Sequence, residues 1–191
     1  SFTVKEIDKV LGFIEYSAAE YALVVNIIDT KGVLSLGSVT VDNDPDGTIE
    51  FTNTYVLDGE DEITLRGTKT LTGGRTTFEA NEFEFGLYDD AGKLIESVKN
   101  DADGNFAFTT LKFDEKDVPV NGSKQITYTV KEIAGDNARY TYDDAIYTVV
   151  VTVKDNDQGG VTAIYTVNDT ENGPISFTNT YTNPAPVTYT P

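Results

Sequence analysis

The chain of 191 residues contains no cysteine, no histidine, no methionine and no tryptophan. Without cysteine there are neither disulfides nor thiolate ligands, so a secreted β-protein of this kind needs another staple. Without histidine the usual metal ligand and the usual general base are both missing. Basic residues are scarce: 14 Lys and Arg stand against 32 Asp and Glu, a net charge of −18. That balance excludes nucleic acid and anionic membrane surfaces as partners, because both need basic patches. The acidity reads as the solubility of a surface-exposed module. No apolar run approaches the ~20 residues of a membrane span, so no membrane insertion is expected within this chain. The absence of methionine and of a signal-peptide pattern marks the chain as a processed product or a fragment.

What is abundant is Thr, Val, Tyr, Phe, Gly and Asp, with turn residues at short intervals and no long helical period. This composition predicts an all-β protein. Strands are expected near 63–71, 82–89, 93–99, 105–110, 124–133, 146–154, 160–168 and 174–181. DDAG (89–92), DADGN (101–105) and NDQGG (156–160) supply the turns between them. Many short strands joined this way predict an immunoglobulin-type β-sandwich. The nearly continuous apolar run AIYTVVVTV (145–153) is the expected central strand.

The chain also repeats itself. FTVKEI (2–7) returns as YTVKEI (128–133), and IEFTNTY (49–55) returns as ISFTNTY (175–181). Tyr21 and Asp29 recur as Tyr147 and Asp155, and each pair is 126 residues apart. The expected organisation follows from that interval. Residues 1–57 read as the C-terminal half of one β-sandwich domain and 58–62 as a linker. A complete domain spans 63–182, and the Pro-rich stretch 183–191 reads as a second linker or tail. The fold expectation is therefore tandem immunoglobulin-like sandwiches with the first copy incomplete.

Three polar residues fall on apolar strand faces. Lys69 shares its face with Ile63, Leu65 and Leu71; Glu132 with Ile126, Tyr128 and Val130; Asn179 with Ile175, Phe177 and Tyr181. Singly, such residues usually snorkel to water or sit at a sheet edge. Three together, two of them repeated at the same spacing, point to one pocket in which they satisfy each other. Burial favours the neutral forms of an amine and of an acid, so Lys69 and Glu132 can exchange a proton there. The free amine would attack the Asn179 carboxamide, polarised by a hydrogen bond from Glu132, and ammonia would leave. The product is a Lys69–Asn179 isopeptide bond, made once and within the chain, so no enzyme with an external substrate is expected. Glu6 and Asn53 repeat the acid and the acceptor, with no lysine to match Lys69. Lys5 and Lys131 lie on the alternate strand face and are rejected as nucleophiles.

Together GTKTLTG (67–73), YTVKEI (128–133) and ISFTNTY (175–181) resemble the pilin isopeptide-linkage domains of Gram-positive surface proteins, relatives of the collagen-adhesin B-type (CnaB) fold. The resemblance covers 63–182, and 1–57 resembles its C-terminal half. It implies Lys69 as the bond-forming lysine, Asn179 as its acceptor and Glu132 as the catalytic acid. In the partial copy it implies Glu6 as the acid and Asn53 as the acceptor. It further implies a stalk or shaft module at a Gram-positive cell wall, with neighbouring repeats or pilus subunits as partners. The rival reading is an adhesin module whose sandwich loops contact a host glycan or protein. Residues 1–57 cannot bury their inward face alone: either upstream residues complete the domain, the commoner arrangement, or another segment donates the lysine strand and complements them.

Other motifs carry less. DNDPDGTIE (42–50) resembles the front of a calcium loop, but Asn53 stands where the bidentate Glu belongs, so a turn is expected and no metal or other cofactor. Asn121 and Asn168 head glycosylation-type triplets, which mean little in a bacterial chain. Phe83, Phe85, Phe106 and Phe108 alternate with polar residues and are expected in the core, some of them walling Lys69.

Overall fold

Alternating patterns joined by Asp, Asn and Gly turns fold here into strands alone. In the computed structural model, which describes residues 1–7, 11–42 and 44–186, there is no α-helix, only a 3-10 turn at Glu115–Asp117. The Pro-rich stretch therefore lies partly outside the described residues, from 187 onward, as does Asn43 of the calcium-like loop. The chain divides into two compact units, Ser1–Asp58 and Gly59–Pro191.

The first unit has strands β1 (Phe2–Lys5), β2 (Ile14–Glu15), β3 (Glu20–Thr30), β4 (Val33–Val41) and β5 (Thr54–Tyr55). They form a three-stranded sheet, β1-β3-β4, and a short β2-β5 pair. No described residue of this unit is fully buried. Phe2, Ile27 and Leu36 are 65%, 57% and 64% exposed. The calcium-like loop is a turn: Val41 and Asp44 exchange backbone bonds, while the Asp42 and Asp44 carboxylates accept from the backbone of Ala22 and Asp46.

The second unit has twelve strands: β6 (Asp61–Ile63), β7 (Arg66–Gly73), β8 (Glu84–Asp89), β9 (Leu94–Lys99), β10 (Asn105–Ala107), β11 (Leu111–Phe113), β12 (Ser123–Ile133), β13 (Tyr140–Thr141), β14 (Ile146–Asp155), β15 (Val161–Val167), β16 (Thr170–Glu171) and β17 (Ser176–Tyr181). A six-stranded sheet runs β16-β15-β14-β12-β8-β9 and a four-stranded sheet runs β10-β7-β17-β13. The apolar strand β14 lies inside the larger sheet, between β12 and β15. The sheets face each other across an aromatic core. Phe85 of the larger sheet stacks on Phe106 of the smaller at 3.8 Å and lies 5.4 Å from Phe177. Val130, Val149, Val151 and Leu87 are fully buried around them. Each such side chain contributes roughly 1.5–3 kcal/mol by leaving water.

One expected strand is split and another is cut short. The run 63–71 breaks at Thr64 and Leu65, and its first part, β6, leaves to pair with β11. The run 105–110 ends at Ala107 for the same reason, since the chain must cross to β11. A Thr64–Thr110 hydroxyl contact of 2.6 Å marks the paired crossings. Lys69 therefore lies on the second strand of its unit.

The pairings of the first unit recur in the second at the interval of 126. Phe2↔Leu23 recurs as Tyr128↔Val149, Leu23↔Val41 as Val149↔Val167, and Ile14↔Tyr55 as Tyr140↔Tyr181. Side-chain contacts follow suit. The Tyr21 hydroxyl donates to the Glu50 carbonyl at 2.6 Å, as Tyr147 does to Ser176 at 2.5 Å.

Gly104 occupies the turn before β10 with φ +87°, and an added Cβ would lie 2.4 Å from the Lys69 carbonyl oxygen. Its own carbonyl accepts from the Lys69 N–H at 2.7 Å. Gly104→Ala is expected to cost about 1–3 kcal/mol, read from the denaturant midpoint, through strain and backbone overpacking. A second prediction concerns Tyr140, whose hydroxyl donates to Glu82 and accepts from Arg75. Burial, with the bond to and charge of Glu82, pushes its pKa up from 10.0 to about 12. The unfolded tyrosine loses its proton first, so this stabilisation is complete below about pH 10 and lost as pH rises toward 12. Denaturation of Tyr140→Phe across that window should show a shallower alkaline decline than the parent; an identical decline would count against the assignment.

Candidate functional site

The inward positions of three strands bring the polar trio together. β7 and β17 are neighbours and run parallel, with Phe177 opposite Lys69 and Asn179 opposite Leu71. Lys69 and Asn179 therefore project from one face of the smaller sheet, one step apart along the strands. Glu132 comes from β12 of the opposing sheet, where it pairs with Phe85. All three are buried: Lys69 is 2% exposed, Glu132 8% and Asn179 0%.

Their hydrogen bonds form one connected bridge. Lys69 Nζ donates to Glu132 Oε2 at 2.8 Å, and Asn179 Nδ2 donates to Glu132 Oε1 at 2.8 Å. The Asn179 carbonyl oxygen accepts from the Asp143 backbone N–H at 2.8 Å. This differs from the arrangement expected from sequence, in which Glu132 itself polarises that carbonyl. Both Glu132 oxygens here accept, so they face the amine and the amide nitrogen, and a main-chain donor takes the oxygen.

Lys69 sits 4.9 Å from the Phe83 ring centroid. Phe83 in turn packs edge-on against Phe78 and Tyr140. Desolvation in this setting holds the Lys69 pKa below its ordinary value, while the bond to Glu132 and the charges of Glu132 and Asp143 oppose that shift. The net effect is a shift toward the neutral, nucleophilic form of the amine.

Asp143 was not singled out by the sequence. It lies between β13 and β14, and its carboxylate accepts from the N–H of Thr178 at 2.6 Å and of Ala145 at 2.9 Å. Those contacts tie the loop to β17 and aim the Asp143 N–H at the neighbouring Asn179. No side-chain signature marks a backbone donor, which is why the sequence is silent about it.

In the first unit Glu6 and Asn53 also meet. Asn53 Nδ2 donates to Glu6 Oε1 at 2.7 Å, and the Ser17 N–H donates to Asn53 Oδ1 at 2.9 Å and Glu6 Oε2 at 3.3 Å. Ser17 stands 126 residues before Asp143 and supplies the same backbone donor. Among the described residues the first unit brings no lysine to this pair, and Asn53 is exposed where Asn179 is fully buried.

Two similar solved structures come from Streptococcus pyogenes. The major pilin protein of one serotype is 20% identical; the match covers 64% of this chain and 54% of that one, with a TM-score of 0.36. A second major pilin structure is 18% identical, with 63% and 50% covered and a TM-score of 0.38. The chain thus spans about half the length of these pilins. No curated protein matches. The profile of the Spy0128-like isopeptide-containing domain matches residues 65–182, well over half of the chain. The chain belongs to the Spy0128-like isopeptide-containing domain family.

Proposed function

We propose that residues 63–182 form a shaft segment of a Gram-positive cell-surface pilus, locked by a self-made Lys69–Asn179 isopeptide bond. The buried bridge from Lys69 through Glu132 to Asn179 carries this reading. The neutral Lys69 amine attacks the Asn179 carboxamide carbon, and the Asp143 N–H holds the oxygen as negative charge develops there. Glu132 takes a proton from Nζ on one oxygen and returns it through the other to Nδ2. The Cγ–Nδ2 bond then breaks and ammonia leaves. Reactants already fixed within a packed core need no further ordering.

The bond would close a loop of 110 residues, worth roughly 4–5 kcal/mol by the loop-entropy model used for disulfides. Its mechanical consequence follows from topology. Lys69 lies near the start of the unit and Asn179 near its end, on strands paired side by side. Tension entering before β7 and leaving after β17 would pass through the covalent link and bypass every strand between. On this reading the surroundings are neighbouring repeats or pilus subunits, and residues 1–57 are the C-terminal half of a domain of the same kind.

The intact chain is expected to weigh about 17 Da less than its sequence mass, one ammonia having left. Lys69→Ala, Asn179→Ala and Glu132→Ala should each restore the full mass; a full mass in the parent would show an ordinary buried polar network. Asp143→Ala, which frees the loop holding the oxyanion donor, should slow the mass loss on refolding about 10-fold. Asp143→Asn keeps an acceptor for Thr178 and Ala145 and should recover the rate. Equal rates in all three proteins would remove Asp143 from the mechanism.

A further inference from the structure

The segment between β7 and β8, residues 74–83, belongs to no strand and passes beside the buried lysine. Its last residue, Phe83, faces Lys69 Nζ at 4.9 Å, and Phe78 packs edge-on against Phe83 at 5.8 Å. Phe78 also leans on Gly104, where an added Cβ would lie 2.8 Å from the ring. A cleft of about 350 Å³ runs between Phe78, Asp103 and β7, with Lys69 among its walls. Water in that cleft comes close to Lys69, yet the lysine side chain is 0% exposed. Two fastenings hold the segment in place. Arg75 and Glu82, near its ends, form a forked ion pair, Nη2 to Oε2 at 2.8 Å and Nη1 to Oε1. Tyr140 of β13 locks the fork, its hydroxyl donating to Glu82 Oε1 and accepting from Arg75. The second fastening is Asn100, 1% exposed. Its side-chain oxygen accepts from the Phe83 N–H at 2.7 Å, and its amide donates to the Glu79 carbonyl at 2.9 Å. Exposed ion pairs usually contribute little. This one is forked, shares a tyrosine hydroxyl, and leaves only 31% and 19% of its two side chains in water. Tyr140 also rests on Phe83 at 5.3 Å, which ties the fork to the ring that faces the amine.

We propose that residues 74–83 are a clasped cover over the bond-forming lysine, in which Arg75, Glu82 and Tyr140 are positioning residues that seat Phe83 and Phe78 and so keep water from Lys69 Nζ. This rests on the isopeptide chemistry proposed above. A hydrated amine holds its proton, whereas a dry one beside Glu132 can give it up and attack. The charged groups facing that amine are Glu132 from β12 and Asp143 from the loop before β14, and both favour its protonated form. Exclusion of water is what opposes them. The clasp bonds to none of the reacting atoms and acts through Phe83.

The test reads the cover and the chemistry separately. In the full chain carrying Asn179→Ala, where no bond can form, lysines are labelled briefly with acetic anhydride and mapped by peptide mass, with the exposed Lys112 as internal standard. Lys69 should be protected. Adding Glu82→Ala or Arg75→Ala should raise its labelling about 10-fold or more, while the β14 amides exchange as slowly as before. With Asn179 intact, the same two substitutions should slow the mass loss of about 17 Da after refolding by about 10-fold, while folding timed by circular dichroism keeps its rate. Arg75→Glu combined with Glu82→Arg reverses the fork and should restore both readouts; either reversal alone should not. A clasp that only stabilises the fold would lower the denaturant midpoint and move neither readout. Unchanged Lys69 labelling, or a parental rate of mass loss, in the clasp variants overturns the proposal. A parent of full mass refutes instead the chemistry on which it rests, and the labelling alone then decides whether the segment seals Lys69.

Discussion

One carboxylate touches both ends of the proposed reaction. Glu132 accepts from the Lys69 amine on one oxygen and from the Asn179 amide nitrogen on the other. That double contact requires the two sheets to face each other at the right separation, because Glu132 comes from one and its partners from the other. It also requires that water stay out, since a solvated lysine is protonated and inert. The aromatic layer answers both needs: the stacked Phe85 and Phe106 span the gap, and Phe83 walls the amine. Sandwich packing, aromatic core and polar bridge are thus one construction.

Topology matters as much as contact. Nearly every pairing in the second unit is antiparallel; β7 and β17 are the exception among the described strands. A parallel pair joins segments that are far apart in sequence and directs both chains the same way. Here that places the lysine and the asparagine on neighbouring strands although they are 110 residues apart. An antiparallel hairpin would bring two such side chains equally close, but a bond across it would protect only the hairpin. The long sequence separation makes a link at this place span the unit.

Much of this was legible in the chain. Period-two alternation placed Lys69, Glu132 and Asn179 inward, and each of them is buried. The turns at 89–92, 101–105 and 156–160 were readable from Asp, Asn and Gly, because positive φ at Gly92, Gly104 and Gly159 favours those residues there. What was not legible depends on three-dimensional partners. The departure of β6 toward β11 leaves no mark, since Ile63 before the break and Leu65 within it are both buried. The Asp143 donor was hidden for a different reason. Its counterpart in the other copy is Ser17, so the repeat shows two unlike side chains where the backbone role is the same. The orientation of the Asn179 amide was likewise out of reach, because spacing fixes which side chains meet but not which atoms.

The trio also poses an energetic problem that its proposed reaction resolves. Removing an amine, a carboxylate and an amide from water costs several kcal/mol per charge, and the attraction between Lys69 and Glu132 offsets this only in part. Leucine or methionine at these positions would pack with no such cost, so stability alone gives no reason to keep the trio. Desolvation pushes Lys69 toward its neutral form, the form that reacts. The product amide of that proposed reaction would carry no charge, so the buried lysine charge would disappear with bond formation. The unfavourable burial would be confined to the unreacted protein and would be relieved by the reaction it promotes.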